Sequence, residues 1–310
     1  MKRGVSKRQR AAGMSIRGAL TAVALLLGGG CVIGGDGASG EITVGAVTFA
    51  ENQIVAEMYA QVLEDAGYTV GRRFNFQNRE ALQPDMRSGT IDLAPEYLAS
   101  LLTTLDPEAE PSPDSEDNVS ELQRRLEDAG LTLLQPSEAN NTNALVVDSA
   151  TADRFRLEKV SDLEPVASTL VFGGPPECPE RRFCLQGLRD VYGLRFKEFR
   201  PLDAGGPLTA AALGSERIDV ALLFTTSGII AERGWVVLED DGGLQAADNI
   251  TPLARNDVVT QELADLIDAV SASLTTETMT ALNARVEVRN EDFREVASDF
   301  LQQEQLLSRS

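Results

Sequence analysis

Residues 88–97 read SGTIDLAPEY and residues 214–224 read GSERIDVALLF. In each, a helix end is followed by an Ile-Asp pair, a short apolar run and an aromatic residue just past it, Tyr97 or Phe224. Apolar runs of this length, bounded by turn signals and preceded by helical patterns, read as buried strands of an α/β domain. Ligands of open α/β sheets sit beyond the carboxyl ends of the strands. Two such lobes facing each other bring Tyr97 and Phe224 into one cleft.

Working outward, a short strand is expected over 42–44. A helix follows from Thr48, whose spacing to Glu51 forms a T-F-A-E capping box. Ile54, Met58 and Val62 recur on one helical face and Gly67 ends it. A strand-like run, a short helix and a strand over 91–93 complete a βαβ pattern. Residues 106–117 (DPEAEPSPDSED) are acidic and proline-rich, and a solvated loop is expected there. Strands over 143–147, 169–173, 196–199, 218–223 and 236–239 alternate with helices near 185–192 and 207–214. After 239 the chain turns helical, with amphipathic stretches near 261–274, 277–285 and 291–305. Trp235, in a hydrophobic run before a strand, reads as core.

The first thirty residues carry six basic side chains (Lys2, Arg3, Lys7, Arg8, Arg10, Arg17) and no acidic one. An apolar run from 19 to 27 and three glycines precede Cys31. This is the layout of an export signal over residues 1–30. The run is about half of the ~20 residues a membrane-spanning helix needs. A cysteine directly after Gly30 fits a bacterial lipoprotein box, although Gly28 stands where a leucine is usual; plain secretion is the alternative. Residues 31–40 are then a lipid-anchored flexible tether, rich in glycine and small residues.

The chain of 310 residues holds 28 basic and 48 acidic side chains. With the six leader charges set aside, 22 basic residues face 48 acidic ones. That balance argues against nucleic acid and against a peripheral grip on anionic lipid. Histidine is absent, which removes the usual general base near pH 7, the usual zinc ligand and every Ser-His or Cys-His nucleophile pair. No metal or cofactor is expected. Cys178 and Cys184, in an exported chain, read as a disulfide. A secreted carboxylate-dependent hydrolase is a remote alternative, with Glu96 and Glu177 its only obvious acids; four Tyr and one Trp offer little to line a sugar cleft.

Several stretches resemble the glycine betaine/choline/carnitine (osmoprotectant) substrate-binding proteins of ABC importers: GAVTFAENQIVAEMY (45–59), IDLAPEY (91–97), NTNALVV (141–147), LVFGGPPECPERRFCLQG (170–187), VYGLRFKEFRPLDAGGPLT (191–209) and IDVALLFTT (218–226). The similarity runs in order through residues 42–300. It implies an α/β, two-lobed periplasmic-binding-protein-like fold of type II, each lobe a mixed sheet flanked by helices. On this chain the first lobe covers 41–142 and 250–310, and the second 143–249, with hinge crossings near Thr142–Asn143 and Asn249–Ile250. The implied protein is an extracytoplasmic, lipid-anchored monomer and no enzyme. Its partners are a small zwitterionic solute and an ABC permease with its ATPase.

The resemblance also implies the site. Family members hold a quaternary ammonium in a cage of aromatic rings, because a trimethylammonium offers no N–H donor and its spread charge is attracted to ring faces, about 0.5–2 kcal/mol each. Tyr97 falls on one cage position, Ser100 on that of a ligand-bonding threonine, and Phe224 near a third position. Asn143 replaces a cage tyrosine, Asp248 or Asn249 another, and Val47 a lysine. Two rings at most survive, and the polar replacements suit a solute bearing N–H or O–H groups, such as an amino-acid-like or other betaine-like compound. Glu177 and Arg181 match a family glutamate and the arginine that meets the ligand carboxylate with its planar fork. Gly205, Gly206 and Pro207 form a turn into a helix whose N–H groups, like those of the helix from Thr48, are candidates to hold a carboxylate; Asp203 is either part of that site or a brace of the loop. Thr225 and Thr226 are further donors.

Overall fold

The computed structural model describes residues 41–308; Cys31, the basic leader and the tether lie outside the described residues. Strand β1 (Glu41–Val47) leads to α1 (Ala50–Asp65), β2 (Thr69–Phe76), α2 (Arg79–Ser88) and β3 (Leu93–Tyr97). Next come α3 (Leu98–Leu105), α4 (Ser115–Leu126) and β4 (Leu131–Leu133). The chain then crosses to a second sheet through β5 (Asn143–Val147), α5 (Ser149–Phe155), β6 (Val171–Gly174) and α6 (Leu185–Tyr192). It continues with β7 (Glu198–Pro201), α7 (Pro207–Gly214), β8 (Val220–Phe224), α8 (Gly228–Arg233) and β9 (Val236–Leu238). It returns as β10 (Ile250–Arg255) and ends in α9 (Gln261–Ser273), α10 (Thr276–Glu287) and α11 (Phe293–Gln303).

The sheets have the orders β2-β1-β3-β10-β4 and β7-β6-β8-β5-β9. In each, three parallel strands are followed by an antiparallel strand in fourth place. That fourth strand is the one arriving from the other sheet: β10 in the first, β5 in the second. Each sheet buries both faces. One face of the first packs on α1 and the C-terminal helices around Met58, Tyr59, Ile267 and Phe300, and the other around Leu98, Leu101 and Leu122. The second sheet packs around Phe172 and Leu188 on one side and around Leu213 and Leu223 on the other.

The sequence echo is a repeated structural clamp. Asp92 donates its N–H to Thr43 O (2.8 Å) and accepts Thr43 N–H on Oδ2 (2.8 Å). Asp219 does the same with Val171, at 2.9 and 2.7 Å. The preceding isoleucines fill matching gaps: a Cβ on Gly45 would stand 2.8 Å from Ile91 Cγ2, and one on Gly173 2.6 Å from Ile218 Cδ1. Because the Ile-Asp pair locks the neighbouring strand, β3 and β8 begin two residues later than the apolar pattern predicts.

Three other expectations are revised. Strand β10 was expected to be part of a helical tail; its proline hides it. Pro252 stands opposite Pro95 in the antiparallel β3–β10 ladder. Their carbonyls turn away from each other, Pro252 O to Leu134 N–H and Pro95 O to the Asn52 amide, so this is a pair that needs no N–H between the strands. Residues 106–117 are not wholly solvated. Pro111 is buried, and Asn118 ties the loop to the returning chain by bonding Ser112 N–H, Ser112 O and Ala247 O. The capping box at Thr48 does not form: α1 starts at Ala50 after Phe49, without a side-chain cap. Glu51 points into the interior instead.

Helix α8 of the second sheet meets α10 of the first at Gly228, where a Cβ would overlap the backbone N and Cα of Ala284. Gly228→Ala is therefore expected to cost about 1–3 kcal/mol by overpacking. Thermal unfolding followed by circular dichroism should show a fall of about 2–4 °C per kcal/mol; an unchanged midpoint would mean that this contact yields freely.

Candidate functional site

The two crossings run side by side beneath the carboxyl ends of β3 and β8. Asn140 and Asn249 form an antiparallel bridge, Asn141 N–H donates to Asp248 O (3.2 Å), and Asp248 N–H donates to Asn140 Oδ1 (2.9 Å). Thr225, just after β8, donates its N–H to Thr142 O (2.9 Å) and its hydroxyl to Asn140 O (2.5 Å), and accepts Thr142 N–H (3.0 Å). The Asn249 amide donates to Ser137 O (3.0 Å). Thr225 and Asn249 are therefore struts of the crossing, and neither lines a cavity described below.

At the base of this region Glu51 is fully buried. It accepts the Tyr97 hydroxyl (3.0 Å), the Asn141 amide (2.7 Å) and the Asn283 amide (2.8 Å). The Asn283 amide also donates to Thr226 O of the second sheet (2.8 Å). Burial pushes the Tyr97 phenol well above its usual range, and the Glu51 charge adds to this, so the hydroxyl stays a donor. Tyr97 is thus not a cage wall: only 7% of it is exposed, and it lines neither cavity.

Two cavities flank Phe224, whose side chain lines both. The smaller, about 160 Å³, is walled by Ser100, Thr103, Pro111, Asn141, Thr142, Asn143, Phe183, Phe224, Gln245 and Asp248 among others. Its donors are committed to the protein. Ser100 gives its N–H (2.9 Å) and hydroxyl (2.6 Å) to Asp248. The Thr103 and Thr142 hydroxyls bond carbonyls of Ala99, Ser100 and Ala246. The amides of Asn143 and Gln245 both donate to Phe183 O (3.2 Å each), which fixes that ring's backbone. What remains on the wall is the Asp248 carboxylate, beside Phe183 and Phe224. Neither Lys nor Arg lines it.

The larger cavity, about 940 Å³, lies on the other side of Phe224. It is lined by Thr48, Phe49, Gly205, Gly206, Thr226, Trp235, Asn283 and Glu287 among others. Gly205, at φ 66°, lies flat against Phe224: a Cβ there would stand 2.7 Å from the ring. The α7 N-terminus is no open anion site. Asp203 braces it, accepting Leu208 N–H (2.9 Å), Thr209 N–H (2.8 Å) and the Thr209 hydroxyl (2.7 Å), and these bonds hold its carboxyl below the usual range against the cost of burial. Trp235 is only partly core; it packs beside Leu213 and also lines this cavity.

The expected residues therefore divide. Ser100, Asn143, Phe224 and Asp248 converge on the smaller cavity, while Thr48, Gly205, Gly206 and Thr226 line the larger. Glu177 and Arg181 are exposed and line neither. The neighbouring Arg182 pairs with Glu110 (3.0 Å). Cys178 and Cys184 are joined, with Cα atoms 5.2 Å apart, and the ring they close presents Phe183, not Arg181, to the cavity. Glu96 is buried, bonded to Arg79 (2.6 Å) and Gln83 (3.0 Å), and lines neither cavity, so Glu96 and Glu177 form no acid pair there. Phe183, Asn141, Asn283 and Gln245 were not anticipated; the polar residues beside Thr142 and the ring beside Cys184 were the available signals.

Residues 40–303 match the family described as the substrate-binding domain of ABC-type glycine betaine transport systems. The chain belongs to this family. The glycine-betaine-binding protein of Pseudomonas aeruginosa is 30% identical over 279 residues, 86% of this chain and 88% of that protein. The carnitine transport binding protein OpuCC of Listeria monocytogenes is 27% identical over 281 residues, 88% and 90% of the two chains. A crystal structure of a glycine betaine/carnitine/choline ABC transporter protein superposes with a TM-score of 0.80 at 25% identity, covering 86% of this chain and all of that one. The family fold is that of type II periplasmic binding proteins, two lobes each built on a mixed sheet flanked by helices.

Asp248 is the residue with a pH signature. Burial raises its carboxyl above the usual 3.8, against the pull of the Ser100 hydroxyl and N–H and of the Arg79 charge. Its contribution to stability is therefore full below about 3.8 and is lost as pH rises through the raised value. Asp248→Asn should remove that loss, leaving the folded protein at least as stable at pH 7 while flattening this part of its stability–pH profile. Denaturant titrations at pH 4 and pH 7 measure both; a variant clearly less stable at pH 7 contradicts the assignment.

Proposed function

We propose that this protein is an extracytoplasmic solute-binding lipoprotein that captures a small organic cation or zwitterion of the betaine–choline–carnitine class and delivers it to an ABC permease with its ATPase. The observation that carries the solute class is the smaller cavity: two phenylalanines and a carboxylate, with the hydroxyls of Ser100, Thr103 and Thr142 committed to the protein. A cation is what such a lining lacks. Ring faces attract it by about 0.5–2 kcal/mol each, and Asp248 supplies the opposite charge. Relatives named for glycine betaine and carnitine support the same class.

The lobes are taken as 41–142 with 250–310, and 143–249, pivoting near Thr142–Asn143 and Asn249–Ile250. The protein acts as a monomer, binds without transforming the solute and needs no cofactor. Its membrane attachment is through acylated Cys31; among the described residues no helix is long and apolar enough to cross a membrane. A second reading, a head group bearing N–H donors, is favoured by one observation, the Asp248 carboxylate on the wall, which can accept hydrogen bonds.

A thermal-shift panel of glycine betaine, choline, carnitine and their mono- and dimethylated counterparts should find a stabiliser. Its affinity should fall on the order of tenfold or more in Asp248→Asn, since unit charges about 4 Å apart attract by about 4 kcal/mol at an effective dielectric near 20, and should also fall as pH drops through the raised Asp248 value. Arg181→Ala should leave affinity unchanged. No stabiliser for the folded protein, or a loss in Arg181→Ala without one in Asp248→Asn, would reject this site. A stabiliser found only among the undermethylated compounds would select the second reading. For the anchor, Cys31→Ser in cells fed radiolabelled palmitate should lose the label and move the protein from the membrane fraction; label retained on Cys31→Ser excludes acylation at Cys31.

A further inference from the structure

The larger cavity takes in Thr48, Gly205, Gly206 and Thr226, and its lining has a chemical bias of its own. Phe49, Phe224 and Trp235 supply rings from three different elements, and Glu287 stands at the rim, accepting Gly228 N–H (3.2 Å). Asn283, 1% exposed, is a wall residue whose Oδ1 has no partner. The orientation of that amide is not arbitrary. A buried carboxylate only accepts hydrogen bonds, so the Asn283 NH₂ must face Glu51 and Thr226 O, and the carbonyl is turned away from them. Arg233, also on the wall, is exposed. At about 940 Å³ the space falls in the 300–1,000 Å³ range of small-molecule sites.

We propose that this cavity is a second binding site, for a primary ammonium compound with an apolar or aromatic body: the body lies against Phe49, Phe224 and Trp235, and the N–H donors meet the Glu287 carboxylate. The quaternary class is disfavoured here because a trimethylammonium cannot donate a hydrogen bond to that carboxylate. The inference does not rest on the solute reading of the smaller cavity, since Phe224 is the one side chain the two cavities share among those that carry the argument.

Isothermal titration of the full chain with phenethylammonium, and separately with its N,N,N-trimethyl counterpart, tests the proposal. Phenethylammonium should saturate one site. Glu287→Gln, an exposed position that leaves folding intact, and Trp235→Ala should each weaken it by about tenfold. Ser100→Ala, in the smaller cavity, should leave it unchanged, and the trimethyl compound should bind at least about tenfold more weakly. Absence of saturable phenethylammonium binding overturns the proposal. So does a loss in Ser100→Ala matching that in Glu287→Gln, or trimethyl binding of equal strength. Failure of the smaller cavity to bind betaine or choline leaves these outcomes unaffected, so the two readings fail separately.

Discussion

The arrangement around Phe224 depends on one buried carboxylate held without a cation. Taking an ion out of water costs several kcal/mol even after relaxation. Glu51 has no ion-pair partner among the described residues; Arg79, the basic group beside Tyr97, is engaged by Glu96. Three neutral donors take the place of a cation, and hydrogen bonds to a charged group contribute about 1.5–3 kcal/mol each. Those donors come from the end of β3, from the first crossing and from α10, and the Asn283 amide reaches on to Thr226 after β8. One side chain on α1 therefore sets the relative position of both sheets and of the segments between them.

The same constraint decides the chemistry on offer. A carboxylate that draws every nearby N–H and O–H toward itself leaves the opposite ends of those groups facing elsewhere. The carbonyls of Asn141 and Asn283 are both without partners for this reason, one at each cavity. Asp248 repeats the effect by taking both donors of Ser100. The region consequently presents acceptors and rings, and a base is kept out of the smaller cavity altogether. The acceptors on offer here are a consequence of how the fold is held together, not an addition to it.

The repeated Ile-Asp signal was legible because it is local: each pair clamps the adjoining strand, and strand-end aromatics follow at fixed distance. Helices α6 and α7 and strand β5 fall where their periodicity and turn residues put them. What failed was non-local. The Pro252 signal forbids a central strand unless the partner position is also proline, and Pro95 is 157 residues away in sequence. Glu51 matched a capping box because the four-residue spacing is correct, but three distant donors outcompete one backbone N–H. In the loop 178–184 attention falls on Arg181, as charge suggests, yet the disulfide ring turns the arginine outward and Phe183 inward. Asp203 had two readings open, and the backbone of its own helix decided for the brace. Pro252 and Glu51 share one cause: the residues that decide each of them lie far along the chain.

The crossing also determines what a rotation between the sheets can change. Asn140, Asp248, Asn249 and Thr225 are bonded to one another within the two strands of chain that serve as pivot, so their geometry is set locally and moves least. Asn141, Asn143 and Phe224 lie next to that pivot and keep their positions. Farther out on the wall are Phe183 on the disulfide ring and Pro111 on the 106–117 loop. The ion pair spanning them, Arg182 with Glu110, is exposed on both sides and contributes on the order of 0–1 kcal/mol. The disulfide matters here for a mechanical reason, since a wall that moves must be stiff to return Phe183 to the same place.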